Sequence, residues 1–211
     1  MRPHLGDVAP DFTAETTHGP IRFHDWIGDG WAVLFSHLKD FTPICTTELG
    51  SMARLEPAFT RRNVKIIGLS ADPVASHLRW IEDIKDLTGF EPKYPLIGDP
   101  DLAVAKLYGM PDAHAKSGKA AVRNVFVIGP DKTIQLTTAY PISAGRNFDE
   151  ILRVIDSLQL TADYSIATPA NWTIGDDVVI PPTVSDEVAW EIFPCGWRSP
   201  KPYIRYVPCP R

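Results

Sequence analysis

Two apolar runs of strand length, Trp31–Ser36 and Val64–Ser70, separated by an amphipathic stretch of helical period, constrain this chain's fold more than anything else in it. Runs without polar alternation read as strands covered on both faces. Between them, from Pro43 to about Arg61, Ile44, Leu49, Met52, Leu55 and Phe59 form one stripe. The order is therefore β-α-β. Asp72-Pro73 then opens a second helix, with Val74, Leu78, Ile81, Ile84 and Leu87 on one face, the aspartate as cap and the proline at the first position. A short helix over Asp101–Tyr108 is closed by Gly109. Val122–Ile128 and Thr133–Tyr140 are strands joined by the turn Gly129-Pro130-Asp131-Lys132. Asn147–Leu158 is a last amphipathic helix, with Phe148, Ile151, Leu152, Ile155 and Leu158 inward. The fold class is α/β, a mixed central sheet with helices on both faces.

The junction after the first strand carries the chemistry. His37-Leu-Lys-Asp-Phe41 leads to Thr42-Pro43, and Cys45 follows in the first turn of the helix. Threonine suits an N-cap and proline the first helical position. Unpaired amides and the positive end of the helix dipole favour an anion there, so the position predicts a reactive thiolate rather than a buried, inert thiol.

Composition narrows the function classes. The chain has 211 residues, is 44% hydrophobic and carries a net charge of −5. It reads as one globular domain with an appendage. The acidic balance argues against nucleic acid as a partner. No apolar stretch approaches the ~20 residues that span a bilayer, which argues against stable membrane association. The N-terminus lacks an apolar signal segment, so a cytoplasmic location is expected. Cysteines stand only at 45, 195 and 209, with no Cys-x-x-Cys. The histidines at 4, 18, 24, 37, 77 and 114 show no His-x-x-x-His spacing, so no metal is expected. No Gly-rich phosphate loop suggests a nucleotide, and no cofactor is expected. Beyond about residue 160 the chain turns rich in proline, from Pro169 to Pro210, and holds Trp172, Trp190 and Trp197. The prolines oppose long regular elements and the tryptophans oppose disorder. An extended arm packing on a second subunit is the expectation.

Several segments resemble one family. Asp40-Phe-Thr-Pro-Ile-Cys-Thr-Thr-Glu-Leu49 is similar to the active-site segment of the peroxiredoxins, and Ala121-Val-Arg-Asn-Val-Phe-Val-Ile-Gly-Pro-Asp-Lys132 to the segment carrying their active-site arginine. Gly145–Thr161 and Ala167–Trp172 resemble the one-cysteine branch. The resemblance runs from about Leu5 to Tyr206. It implies a thioredoxin-like peroxidase domain over 1–160 and a C-terminal dimerisation arm over 161–211. It implies a thiol-dependent peroxidase that reduces hydrogen peroxide and organic hydroperoxides through a sulfenic acid on Cys45. Thr42 matches the hydroxyl residue that orients the peroxide, Arg123 the arginine that holds the thiolate and polarises the substrate, Arg146 a second arginine, and His37 a histidine beside the cysteine. Glu48, one turn beyond Cys45, is placed to orient an arginine. The partners implied are a hydroperoxide, an external thiol reductant such as thioredoxin or glutathione, and a second copy in a homodimer or higher oligomer. A different class of function, a peroxide sensor or chaperone-like oligomer with Cys45 as its switch, would consume about one equivalent of peroxide rather than many.

Three departures from the family matter. Leu38 stands where the signature has proline. Gly30, in Gly28-Asp-Gly-Trp31, replaces the serine proposed as a phospholipase nucleophile in some members. His24 and Asp131 match that triad's other positions but have nothing to activate. Cys209, and less so Cys195, resembles in placement a resolving cysteine of related archaeal enzymes.

Overall fold

The computed structural model describes residues 2–110 and 123–210. The expected unit is present: β3 (Trp31–Ser36), α2 (Pro43–Arg61) and β4 (Val64–Ser70), with β3 and β4 parallel from Trp31 opposite Val64 to Ser36 opposite Leu69. All six β3 residues are buried. Each apolar side chain so covered contributes roughly 1.5–3 kcal/mol relative to exposure. On the other side β3 pairs antiparallel with β6 (Arg123–Ile128), which pairs with β7 (Ile134–Tyr140). The hairpin strands fall one residue inside the expected limits, and Val122 lies outside the described residues, as do Ala121 and His114.

Four short elements escape the sequence patterns. A hairpin of β1 (Thr13–Thr16) and β2 (Gly19–Arg22) precedes α1 (Phe23–Ile27), and β5 (Leu96–Gly98) extends the sheet. Strands of three or four residues, partly exposed, carry too little periodicity to read. The sheet order is β2-β1-β5-β4-β3-β6-β7, mixed in direction and flanked by helices. Its core includes Leu34, Ile67, Leu69, Ile97, Phe126 and Ile128.

Two helix starts differ from expectation. The helix α3 (Val74–Thr88) is capped by Pro73 itself, not by Asp72. The Asp72 carboxylate instead accepts from the backbone N–H of Asp40 and the hydroxyl of Ser70, both at 2.9 Å. The short helix α4 (Ala103–Leu107) starts two residues late because Asp99 accepts from the amides of Val104 and Ala105. Gly50 allows α2 and α3 to approach: a Cβ there would lie 2.5 Å from the Thr88 side chain.

The chain divides into two compact units, Met1–Phe148 and Asp149–Arg211. The last predicted helix, α5 (Phe148–Asp163), runs five residues further than expected. Beyond it lie β8 (Val178–Val179), α6 (Asp186–Ile192), β9 (Arg198–Lys201) and β10 (Ile204–Val207), with a small sheet in the order β8-β10-β9. Ser185 caps α6 by accepting from the Val188 amide. The proline-rich stretch therefore has its own core of Leu160, Ile166, Trp172, Val178, Ile180, Ala189 and Val207. Trp172 is satisfied inside this unit and needs no second subunit, which corrects the expectation for that residue; Trp190 stays 54% exposed, its ring 4.7 Å from Trp197. Among the described residues no helix is long and apolar enough to cross a membrane.

Candidate active site

Thr42 is the N-cap residue of α2 and Pro43 its first helical residue, so Cys45 sits in the first turn, where backbone amides lack helical partners. The thiol is fully buried and free of any disulfide. The Thr42 side chain does not cap. Its hydroxyl donates to the carbonyl of Lys39 at 2.7 Å, which leaves its oxygen lone pairs to accept from an incoming O–H. Phe41, just before it, holds φ at 55°, a conformation that costs a non-glycine residue roughly 1 kcal/mol or more. Asp40 holds that bend through its backbone bond to Asp72 and its carboxylate bonds to two histidines.

Arg123, readable from sequence alone as a surface charge on a strand, is 2% exposed. Its Nη1 donates to Cys45 Sγ at 3.3 Å and to Glu48 Oε2 at 2.5 Å, while Nε and Nη2 hold the carbonyl of Ile142 at 3.2 Å. Arg146 is also buried and grips Glu48 with a two-pronged fork, Nε to Oε1 at 2.9 Å and Nη2 to Oε2 at 2.7 Å. Its Nη1 donates to the carbonyls of Ser36 and Asn124, and its guanidinium lies 5.2 Å from the ring centres of both Phe35 and Phe148. The charges are instructive. One carboxylate stands between two arginines, so the cluster keeps one positive charge in excess, and a thiolate on Cys45 neutralises it. In a buried site that excess stabilises the anion far more than it would in water.

A second polar cluster abuts the first. His37 Nε2 lies 2.9 Å from Asp40 Oδ1, and His77 Nδ1 lies 2.8 Å from Asp40 Oδ2. All three side chains are buried. Burial works against the ionised carboxyl of Asp40, yet the hydrogen bonds from His37 and His77 outweigh it and hold Asp40 well below the usual carboxylate range. Burial lowers the pKa of His37, against the opposing bond to Asp40. These are the only histidine, cysteine and acidic side chains among the described residues whose ligand atoms lie close enough to share a cation, all within 4.8 Å. Spacing along the chain could not reveal the group, since His77 comes from α3 and the others from the loop after β3. Asp72, Asn124 and Ser36 were also missed as supports of the site.

The remaining candidates lie elsewhere. Cys195 is exposed and Cys209 half-buried beside the second unit's core. His24 accepts no catalytic partner: its Nε2 pairs with the carbonyl of Ala9 at 2.8 Å, and Asp131 ties the turn at Thr133.

Comparison with known proteins agrees with this geometry. The AhpC/TSA family model matches residues 5–137, and that of the C-terminal domain of 1-Cys peroxiredoxin matches 157–193. Peroxiredoxin-6 of Gallus gallus is 51% identical over 98% of this chain and 97% of its own, and that of Homo sapiens gives the same figures. A yeast mitochondrial 1-Cys peroxiredoxin, solved for its thiol-resolving mechanism via glutathione/thioredoxin systems, superimposes with a TM-score of 0.92 at 47% identity, covering 98% of this chain and 99% of the other. A cysteine-to-serine mutant of peroxiredoxin 6 from Arenicola marina gives 0.92 at 48% identity, with 99% of each chain covered.

Proposed function

The chain belongs to the AhpC/TSA family, in its one-cysteine peroxiredoxin branch, and is a thiol-dependent peroxidase; from that premise we propose how its residues divide the work. The observation that carries the reading is the 3.3 Å contact from Arg123 Nη1 to Cys45 Sγ, with Glu48 fixing the guanidinium from behind. Cys45 as thiolate attacks the terminal oxygen of a hydroperoxide. An S–O bond forms, the O–O bond breaks, and the departing oxygen leaves as water or an alcohol once it takes a proton. Arg123 donates toward the oxygen that gains charge, an electrostatic contribution that preorganised donors supply without rearranging. Thr42 accepts from the O–H of the substrate, and Arg146 holds Glu48 in place. Leu38 does not enter this scheme.

Arg123→Met is expected to lower the peroxide rate constant at least about tenfold, or ~1.4 kcal/mol of transition-state stabilisation. Alkylation of Cys45 at neutral pH should slow as well, because the adjacent cation is lost. Stopped-flow peroxide consumption and iodoacetamide mass labelling measure the two. Wild-type values for both would remove Arg123 from the site.

The sulfenic acid is then returned to thiol by an external thiol. One equivalent forms a mixed disulfide and releases water; a second releases Cys45 and carries away the disulfide. Glutathione- or thioredoxin-type reductants suit this step, in line with the systems named for the yeast relative. We assign the working form to a cytoplasmic homodimer, with a peroxidase domain over 1–160 and an arm over 161–211 that carries the partner contact. Within such a dimer Cys209 is the candidate to resolve Cys45 across subunits, which requires the two Cα atoms to come within about 7 Å. Peroxide-treated protein should run as a covalent dimer on a non-reducing gel, and Cys209→Ser should abolish that band. An undiminished band in the variant would exclude Cys209 and leave Cys195 or direct reduction.

A further inference from the structure

Thr42, whose hydroxyl oxygen can accept from the substrate, also forms one end of a groove outside the thiol pocket. The groove runs between α2 and α3, holds about 510 Å³ and is bordered by Phe41, Thr42, Trp80 and Leu87. Trp80 is fully buried and forms its floor. Two large apolar side chains stand open beside it. Phe41 is 52% exposed, and Leu87 is 75% exposed although it belongs to the apolar stripe of α3. Phe41 holds its ring there at a cost, since its φ of 55° is a conformation that bulky residues seldom adopt. Strain of this kind gathers where a side chain has a use.

The lining has few polar functions left to offer. Four threonines border the groove, at 42, 46, 47 and 88. Each gives its hydroxyl proton to a backbone carbonyl: Thr42 to Lys39 at 2.7 Å, Thr46 to Thr42 at 2.9 Å, Thr47 to Ile44 at 2.8 Å and Thr88 to Ile84 at 2.7 Å. The indole N–H of Trp80 is likewise spent, on the Thr46 hydroxyl at 3.3 Å. A ligand therefore meets two aromatic rings 6.1 Å apart, threonine methyls and the Leu87 side chain, with one charge at the border, the carboxylate of Asp83. The partner that suits such a lining is apolar and carries no negative charge.

We propose that this groove is the subsite for the organic arm of an alkyl hydroperoxide, with Phe41 and Leu87 as specificity-determining residues. The inference rests on Cys45 as the nucleophile and on Thr42 as the acceptor of the substrate O–H. Continuity sets the occupant. The hydroperoxyl group is held at Thr42 and the groove begins at the same residue, so a chain leaving the hydroperoxyl carbon has an apolar path between α2 and α3. Hydrogen peroxide has no arm and gains nothing from it. Each methylene buried along Phe41 and Leu87 raises the second-order rate constant by about two- to fourfold until the groove is filled. This is binding energy drawn from a part of the substrate that does not react. A chain that ends in a carboxylate forfeits part of the gain, because Asp83 faces it with like charge.

A series of hydroperoxides tests this. Stopped-flow rate constants of the full-length protein for ethyl, butyl, hexyl and octyl hydroperoxide, each divided by that for hydrogen peroxide, should rise with chain length. In Leu87→Ser, and in Phe41→Asn, whose asparagine tolerates the positive φ, the ratio for the octyl compound should fall at least about fivefold. Leu87 is exposed enough for its replacement to spare the core, so Leu87→Ser carries the test if Phe41→Asn does not fold. A general lesion lowers all the rate constants together and leaves the ratios unchanged. Unchanged ratios in the Leu87→Ser protein, or a flat series in the wild type, overturn the proposal. So does a variant that alters sedimentation and not the ratio, which would make the groove a contact between copies of this chain. Intact mass after one equivalent of octyl hydroperoxide keeps the premise separate. Oxygen added to any residue but Cys45 would mean that the nucleophile itself is misassigned, whereas a flat series with Cys45 oxidised removes only the groove.

Discussion

Cys45→Ser is expected to lose at least about a thousandfold in peroxide consumption, which corresponds to ~4 kcal/mol, while keeping its fold. The sulfur is needed as an anion, and a serine hydroxyl ionises too weakly for one excess positive charge to compensate. The fold should hold because the replacement is nearly isosteric. The buried hydroxyl that results would also not be stranded, since Arg123 Nη1 already donates to that position. Peroxide consumption by stopped flow and a thermal unfolding curve are the measurements. A serine variant that retains more than about one per cent of wild-type turnover would sink the assignment. A collapsed unfolding curve would show instead that Cys45 matters to packing.

Much of this site could be read along the chain, and the reason is local. Thr42, Pro43 and Cys45 lie within one helical turn, so proline's preference for the first position and the dipole act on neighbours in sequence, and the helix begins where expected even though the Thr42 side chain makes no cap bond. The β3–α2–β4 unit was legible because its apolar runs are long and fully covered. What could not be read depends on groups brought together by the fold. Asp72 stands one residue before a capping proline and looks like a cap, yet it ties the loop of Asp40, 32 residues away. Arg123 was marked only by resemblance to a family, since a charge on a strand reads by itself as a surface residue, and its burial against Cys45 and Glu48 comes from contacts 78 and 75 residues apart in sequence. His77 sits on α3 among residues that show a helical stripe, so its bond to Asp40 had no signature at all. The proline-rich stretch misled in a different way: proline forbids long helices but not two- to four-residue strands, and three of these suffice to bury Trp172.

Glu48→Ala is expected to be the most destabilising single change in the site, by about 3–5 kcal/mol, because it leaves two buried guanidinium groups without their shared carboxylate. Both arginines and Glu48 are about 2% exposed or less at the side chain, so water cannot replace what is removed. Urea unfolding measures the loss; a cost under about 1 kcal/mol would mean that the arginines find other partners, and that Glu48 does not hold them. Glu48→Gln keeps the volume and one acceptor, and should fall between the two. The variants also separate charge from position. With the carboxylate gone, positive charge near Cys45 increases, so its alkylation at neutral pH should not slow. Peroxide reduction should nevertheless drop at least tenfold, since Arg123 loses the anchor that aims it and only a fixed donor favours the transition state over the ground state. If charge alone drove the reaction, removing Glu48 would speed both processes together. The buried carboxylate therefore makes physical sense as an aiming device: it spends one of the two positive charges to give the other a fixed direction toward the sulfur and the oxygen it attacks.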